Sequence, residues 1–162
     1  MAGLRQRRAM ARAGFYAIHN SHIRFGRDGC WYADGQPIVN QRIADLFSRH
    51  VRRSDSGGYM LEIGPERAPI EVDDTPYVVV DVDVEEGETA RIRLNDGSVE
   101  NLDASSLQVG ADEVLYCRVK EGTERARFLR PAYYQLAPFI SESGASRFEL
   151  RLAGIAHPVA RT

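Results

Sequence analysis

Between Gly29 and Tyr77 the chain sets a tight turn, an amphipathic run and an Arg/Glu/Asp/Pro-rich segment in direct succession, and that order constrains the fold more than any other feature. A strand from Ile23, a turn at Arg27-Asp28-Gly29, a second strand over Cys30-Trp31-Tyr32 and a further turn at Asp34-Gly35 come first. Asp-Gly between apolar segments is a strong turn signal. Pro37 suits the first turn of a helix. Val39, Ile43, Leu46, Phe47 and His50 then recur at helical spacing through about Val51, with Arg42, Asp45, Arg49 and Arg52 on the outer face.

The rest of the chain reads as short strands and one more helix. Tyr59–Ile63 and Ile70–Val72 are two strands joined across Gly64-Pro65-Glu66-Arg67-Ala68-Pro69. Val78, Val80, Val82 and Val84 alternate with Val79, Asp81 and Asp83, which predicts a strand with one buried and one increasingly wet side. Folding 91–102 about Asp96-Gly97 sets Leu94 across from Val99 and Arg93 across from Glu100. A hairpin over 113–130 turns near Glu121-Gly122-Thr123-Glu124. A helix over 132–139 follows, with Tyr133, Leu136 and Ile140 inward and Pro138 shortening or kinking it. Arg147–Leu152 supplies a last strand, and the end frays after His157. No long βαβ crossover is required, so the fold class is α+β: two small lobes, each a mostly antiparallel sheet with one packed helix. The expected divisions are a basic tail or short helix over 1–20, lobes over 21–84 and 85–157, and a tail over 158–162.

Charge is distributed unevenly. Up to residue 53, ten Arg stand against three Asp; from 54 to 113, three Arg against sixteen acids; from 114 onward, eight bases against four acids. Like charges in blocks repel unless paired, so the acidic middle is expected to neutralise the basic ends. Whole-domain basicity is missing, which sets nucleic acid aside as the main partner. RNA contact through Arg5, Arg7, Arg8 and Arg12 remains a minor reading. No apolar run approaches the length of a membrane span and no secretory signal is evident, so no membrane partner and a cytoplasmic location are expected. Cys30 and Cys117 stand far apart and are expected to be two reduced thiols. His19 and His22 have poor metal-ligand spacing, so no metal and no cofactor is expected. No phosphate-loop, dinucleotide or serine-hydrolase motif occurs.

Gly29, Trp31, Gly35, Pro37-Ile38, Leu46-Phe47, Tyr59, Pro65-Glu66-Arg67, Ile70-Glu71-Val72-Asp73-Asp74 and Pro76-Tyr77 together resemble domain-of-unknown-function family 1285, a group of bacterial proteins. Tyr133-Tyr134-Gln135-Leu136 and the strands around Arg118 and over 124–130 extend the likeness to about residue 152. The resemblance implies a two-lobed α+β fold and no established activity. The roles it suggests are small-molecule sensing and signal transduction.

The hairpin over 113–130 carries the sharpest physical clue. With its turn at 121–124, Lys120 faces Arg125 and Arg118 faces Arg127, while Val119/Ala126 and Cys117/Phe128 line the other face. Opposed like charges destabilise a sheet, so this face calls for an anion. One candidate is the chain's own Asp73, Asp74, Asp81 and Asp83; the other is a carboxylate or phosphate metabolite held by Arg118, Arg125, Arg127 and Arg130. Glu66, Arg67, Asp73 and Asp74 form an acidic segment suited first to surface solvation or an inter-lobe ion pair, and otherwise to general acid/base work or to a hard cation. Trp31 and Tyr32 point to opposite sides of a strand, which leaves one of them to line a surface or cleft. The resulting expectation is a non-enzymatic small-molecule (anion) binding or signalling module with its ligand near the lobe junction. The alternatives are a metal-assisted hydrolase using Glu66, Asp73 and Asp74, or a protein-partner adaptor. A homo-oligomer is compatible with each.

Overall fold

A computed structural model describes residues 21–162. The expectations for 1–20, including the Arg5–Arg12 tail and His19, lie outside the described residues. Strand dominates the described residues, which form two sheets and two α-helices, broadly α+β. Chain contacts divide it into two compact units that meet between Asp74 and Thr75.

The first unit holds β1 (Ile23–Phe25), β2 (Trp31–Ala33), β3 (Gln36–Pro37), α1 (Gln41–Arg49), β4 (Val51–Arg53), β5 (Tyr59–Ile63) and β6 (Glu66–Val72) in one sheet of order β3-β2-β1-β6-β5-β4. Only β1 and β6 run parallel. Asp34 and Gly35, at φ 50° and 80°, form the two-residue turn that pairs Ala33 with Gln36. The helix starts later than the periodicity predicts. Pro37 ends β3, and Asn40 caps α1 by accepting from the Arg42 and Ile43 amides. Val39 therefore falls outside the apolar stripe and is 90% exposed. Phe47 anchors the helix: its ring lies 5.5 Å from Trp31, which in turn lies 4.8 Å from Phe25. These rings, with Ile23, Val51, Leu61, Ile63 and Ala68, are the buried core of this unit. Gly64, at φ 58°, tightens the β5–β6 turn so that Ile63 already pairs with Glu66, and β6 is longer than expected.

The second unit holds β7 (Tyr77–Glu85), β8 (Thr89–Leu94), β9 (Val99–Asn101), β10 (Gln108–Val109), β11 (Leu115–Val119), β12 (Glu124–Phe128), α2 (Arg130–Leu136), β13 (Ile140–Glu142), β14 (Phe148–Leu152) and β15 (Ile155–Arg161). Its sheet order is β13-β14-β15-β10-β11-β12-β7-β8-β9, with parallel pairs β10–β15 and β12–β7. The boundary expected at residue 84 falls at the end of β7, which pairs with β8 and β12 and so belongs wholly to this unit. The expected tail over 158–162 is the end of β15, held parallel to β10 and closed by an Arg161–Glu113 ion pair at 2.7 Å.

The valine alternation of β7 is broken by a bulge between Val79 and Asp81. Val79, Val82 and Val84 then join one core with Ile92, Leu94, Leu115, Cys117, Val119, Ala126, Phe128 and Leu136. Gln135 on α2 stabilises the bulge from the side: its carbonyl accepts from the Val82 amide at 2.7 Å and its amide donates to Asp81 at 2.7 Å. Ala132 and Leu136 are the inward residues of α2, whereas Tyr133 is 40% exposed. Pro138 does shorten the helix, which ends at Leu136 and continues as a 3₁₀ turn over Ala137–Phe139.

Candidate functional site

Two turns in the second unit decide the candidate site. In the β8–β9 turn, Leu94 closes onto Ser98 through a three-residue loop in which Gly97 has φ 85°. An odd loop shifts the ladder by one residue, so Ile92 faces Glu100 and Arg93 faces Val99. The expected Leu94–Val99 and Arg93–Glu100 pairs do not form. Arg93 instead lies 3.7 Å from Asp81 across β7, and Glu100 is released toward β11.

In the β11–β12 turn, Lys120, Glu121 and Gly122 take φ of 53°, 58° and 81° in succession. Two of these three are not glycine, a conformation that L-residues adopt only under constraint. The loop spans 120–123, one residue earlier than predicted, so Val119 pairs with Glu124, Arg118 with Arg125, and Tyr116 with Arg127. The even parity survives, so the predicted faces hold while the partners change. Lys120 leaves the ladder, and its position explains the strained turn. Its amide donates to the Glu100 carboxylate at 3.3 Å, its ammonium donates to Asp96 at 2.6 Å and Ser98 at 3.0 Å, and the same group sits 5.0 Å from the Tyr77 ring centre. Asp96 also accepts from the Ser98 amide and hydroxyl. Burial alone would raise the Asp96 pKa, but the hydrogen bonds from Lys120 and Ser98 outweigh it and hold the carboxyl below its ordinary value.

These contacts bring the β8–β9 turn back against β11. Below them, the Arg118 amide donates to the Ser106 hydroxyl at 2.8 Å. The amides of Arg118 and Lys120 thus point away from β12, so Arg118 and Arg125 form a non-hydrogen-bonded pair, the geometry in which opposed side chains stand closest. Arg118 is exposed and its guanidinium has no carboxylate within ion-pair reach among the described residues. Arg125 lies diagonally over the Tyr116 ring, 4.4 Å from its centre. On its other side that ring presses on Gly110, where an added Cβ would sit 2.9 Å from a ring carbon. Beside Arg118 an open groove of about 700 Å³ is lined by Glu100, Asn101, Asp103, Arg118, Lys120, Glu121 and Gly122. Burial, and to a lesser extent the carboxylates of Glu100 and Asp103, pushes the Cys117 thiol up to about 12.

The other residues singled out in the sequence are placed differently. Arg130 opens α2, and Arg127 lies across from Tyr116. Asp96 and Glu100 are the carboxylates that meet Lys120 at the turn beside the cationic face. Asp73 is bonded to Arg24 within the first unit. Trp31 lines no cleft: it is 1% exposed, and its indole N–H donates to Ser48 at 2.9 Å. Arg67 lies 3.7 Å from Glu62 on the neighbouring strand. Glu66 and Asp73 stand at opposite ends of extended β6, about 23 Å apart at ~3.3 Å per residue, too far to share a cation. Among the described residues no group of three or more His, Cys, Asp or Glu is arranged to hold a metal ion. No described helix is long and apolar enough to cross a membrane. Both cysteines are free, Cys30 exposed and Cys117 buried.

Asp96, Ser98, Glu100, Asp103 and Glu121 carry the site yet were not singled out in advance. Asp96-Gly97 was visible as a turn, but its three-residue loop, which turns Glu100 toward β11, was not.

Among solved structures, a DUF1285 family protein from Silicibacter pomeroyi DSS-3 matches with a TM-score of 0.67 and 24% identity, over 85% of this chain and 79% of that one. The chain has the DUF1285 fold. A second DUF1285 family protein, from Shewanella baltica OS155, matches with a TM-score of 0.57 and 20% identity over 74% of this chain and 92% of that one. The DUF1285 resemblance carried by the 29–77 block thus points to the same family as the solved neighbours. No family model matches the chain, and no curated protein matches it.

Proposed function

We propose that the second unit is a non-enzymatic binding module for a small anion, seated on the outer face of β11 and β12 against Arg118 and Arg125. One observation carries this reading: two Arg side chains oppose each other in a close-approach ladder pair, and Arg118 has no carboxylate partner of its own among the described residues. A like-charge pair of this kind costs stability unless an anion lies between the guanidiniums. Arginine's planar fork suits a carboxylate or phosphate. Arg125 is held ready by Tyr116, which Gly110 leaves room for. The signal-transduction role that the DUF1285 resemblance suggests is the setting this reading gives the site.

The test is the thermal midpoint and calorimetric titration of the full chain with inorganic phosphate, succinate and nucleotides. A ligand that binds only the native state raises the midpoint. The expected result is a rise with at least one of these anions that shrinks with added salt and disappears in Arg118→Gln. A flat response across the set refutes the proposal and favours a protein-partner adaptor.

A further inference from the structure

We infer that the ligand of this surface is a zwitterion, a free α-amino acid or a close relative, whose carboxylate meets Arg118 and whose ammonium enters the adjacent groove. This rests on the anion-binding reading above and adds the second charge.

The groove beside Arg118 is not basic. Three of its lining residues, Glu100, Asp103 and Glu121, are carboxylates, against Arg118 and Lys120. Lys120 is already neutralised by Asp96 at 2.6 Å, so it contributes little positive field. The surface therefore changes sign over a few ångströms, cationic on the Arg118–Arg125 face and anionic inside the groove. A simple anion that satisfies Arg118 is repelled by the groove; a simple cation drawn into the groove is repelled by Arg118. A molecule bearing both charges a short distance apart satisfies both ends.

The three acids differ in what they have left to offer. Both Glu100 oxygens face the Lys120 amide, at 3.3 and 3.4 Å. Asp103 Oδ1 accepts from the Ser105 amide at 3.2 Å and its hydroxyl at 2.6 Å, capping the 3₁₀ turn Ala104–Ser106, which leaves Oδ2 for a ligand. Glu121 is exposed, without a carboxylate contact among the described residues, and held at φ 58° on the rim. Asp103 and Glu121 are thus the groups for the ammonium. The consecutive left-handed residues Lys120 and Glu121 have a function in this arrangement: the strained turn, clamped by Asp96 and Glu100, holds Glu121 in the lining of the groove that Arg118 also lines.

The experiment measures the full chain by thermal shift and calorimetry against each of the twenty free L-amino acids, their N-acetyl and α-amide derivatives, and inorganic phosphate. The expected result is that at least one free amino acid binds, that both of its derivatives bind at least tenfold more weakly, and that Glu121→Gln and Asp103→Asn weaken the free amino acid while phosphate binding is not weakened. Asn is chosen at 103 because it preserves the cap. Equal binding of free and N-acetylated forms overturns the zwitterion and leaves the anion site standing, as does binding of phosphate with no amino acid. Failure of every compound, phosphate included, removes both.

Discussion

Replacing Lys120 by Met keeps an unbranched stem one atom shorter and deletes the ammonium that ties the β8–β9 turn to the β11–β12 turn. The ammonium lies 2.6 Å from Asp96 and 3.0 Å from Ser98, with the Asp96 side chain only 11% exposed and that of Lys120 29%. Such a pair falls between exposed bridges, worth up to about 1 kcal/mol, and fully buried ones, whose disruption costs about 3–5. Asp96 keeps its two Ser98 hydrogen bonds in the variant, so a loss of about 2 kcal/mol near neutral pH is expected. The pH dependence supplies the control. Asp96 has a folded-state pKa below its ordinary value, so it stabilises the native state above the unfolded pKa and loses that contribution as the pH falls through the folded one. The gap between wild type and Lys120→Met should therefore be widest at neutral pH and close in acid, as the pH falls below the ordinary carboxylate range. Urea denaturation across this range measures it, urea being chosen because it adds no ions. A double-mutant cycle with Asp96→Asn should show a coupling of about 1–2 kcal/mol. A loss under about 0.5 kcal/mol, or one that persists unchanged in acid, would refute the clamp.

Ser48→Ala leaves the buried indole N–H of Trp31 without its acceptor and should cost about 1–3 kcal/mol; because Trp31 is the chain's single tryptophan, its fluorescence reports the first unit directly, and a Trp31→Phe background should remove most of the effect. Gln135→Ala strips the bulge in β7 of its Val82 partner and should lower the urea midpoint by the equivalent of about 1–3 kcal/mol, with Gln135→Glu restoring less than half because a carboxylate beside Asp81 is repelled. A disulfide-exchange reagent at mildly alkaline pH should modify one thiol of the folded protein, Cys30, and slowly, since burial and the Asp28 carboxylate raise its pKa; Cys117, pushed up to about 12, should react only after unfolding. Fast modification of both thiols in native buffer would contradict the core assignment.

The limits of sequence reading show in particular residues. Phe47 could be placed on the inner helix face by spacing, and Asp34-Gly35, Pro138 and the Arg118 hairpin could be placed to within a residue or two, because each depends on neighbours in the chain. Val39 could not, since the Asn40 cap outcompetes Pro37 as a start site and no periodicity shows which cap prevails. Tyr133 followed the same pattern: the helix turns Leu136 inward as its spacing indicates, but with Ala132 rather than Tyr133 beside it. Strand alternation says that one of Trp31 and Tyr32 faces outward but not which; the contacts of Trp31 with Phe25 and Phe47 put Trp31 on the buried side.

Local order alone determined that this chain would be a set of short hairpins with two brief helices and an arginine-bearing ribbon near its end. Tertiary structure decided the parities and the long-range closures. Side chains alternate with a period of two, so Gly97 in the left-handed region and one bulged residue in β7 change which groups meet, and neither is audible in hydrophobic spacing. Closure of Glu100 and Asp96 onto Lys120, and the parallel seat of β15 beside β10, join residues twenty or more positions apart. Such contacts form only where the whole core has already paid the entropy of bringing the segments together, and a linear pattern carries no record of that.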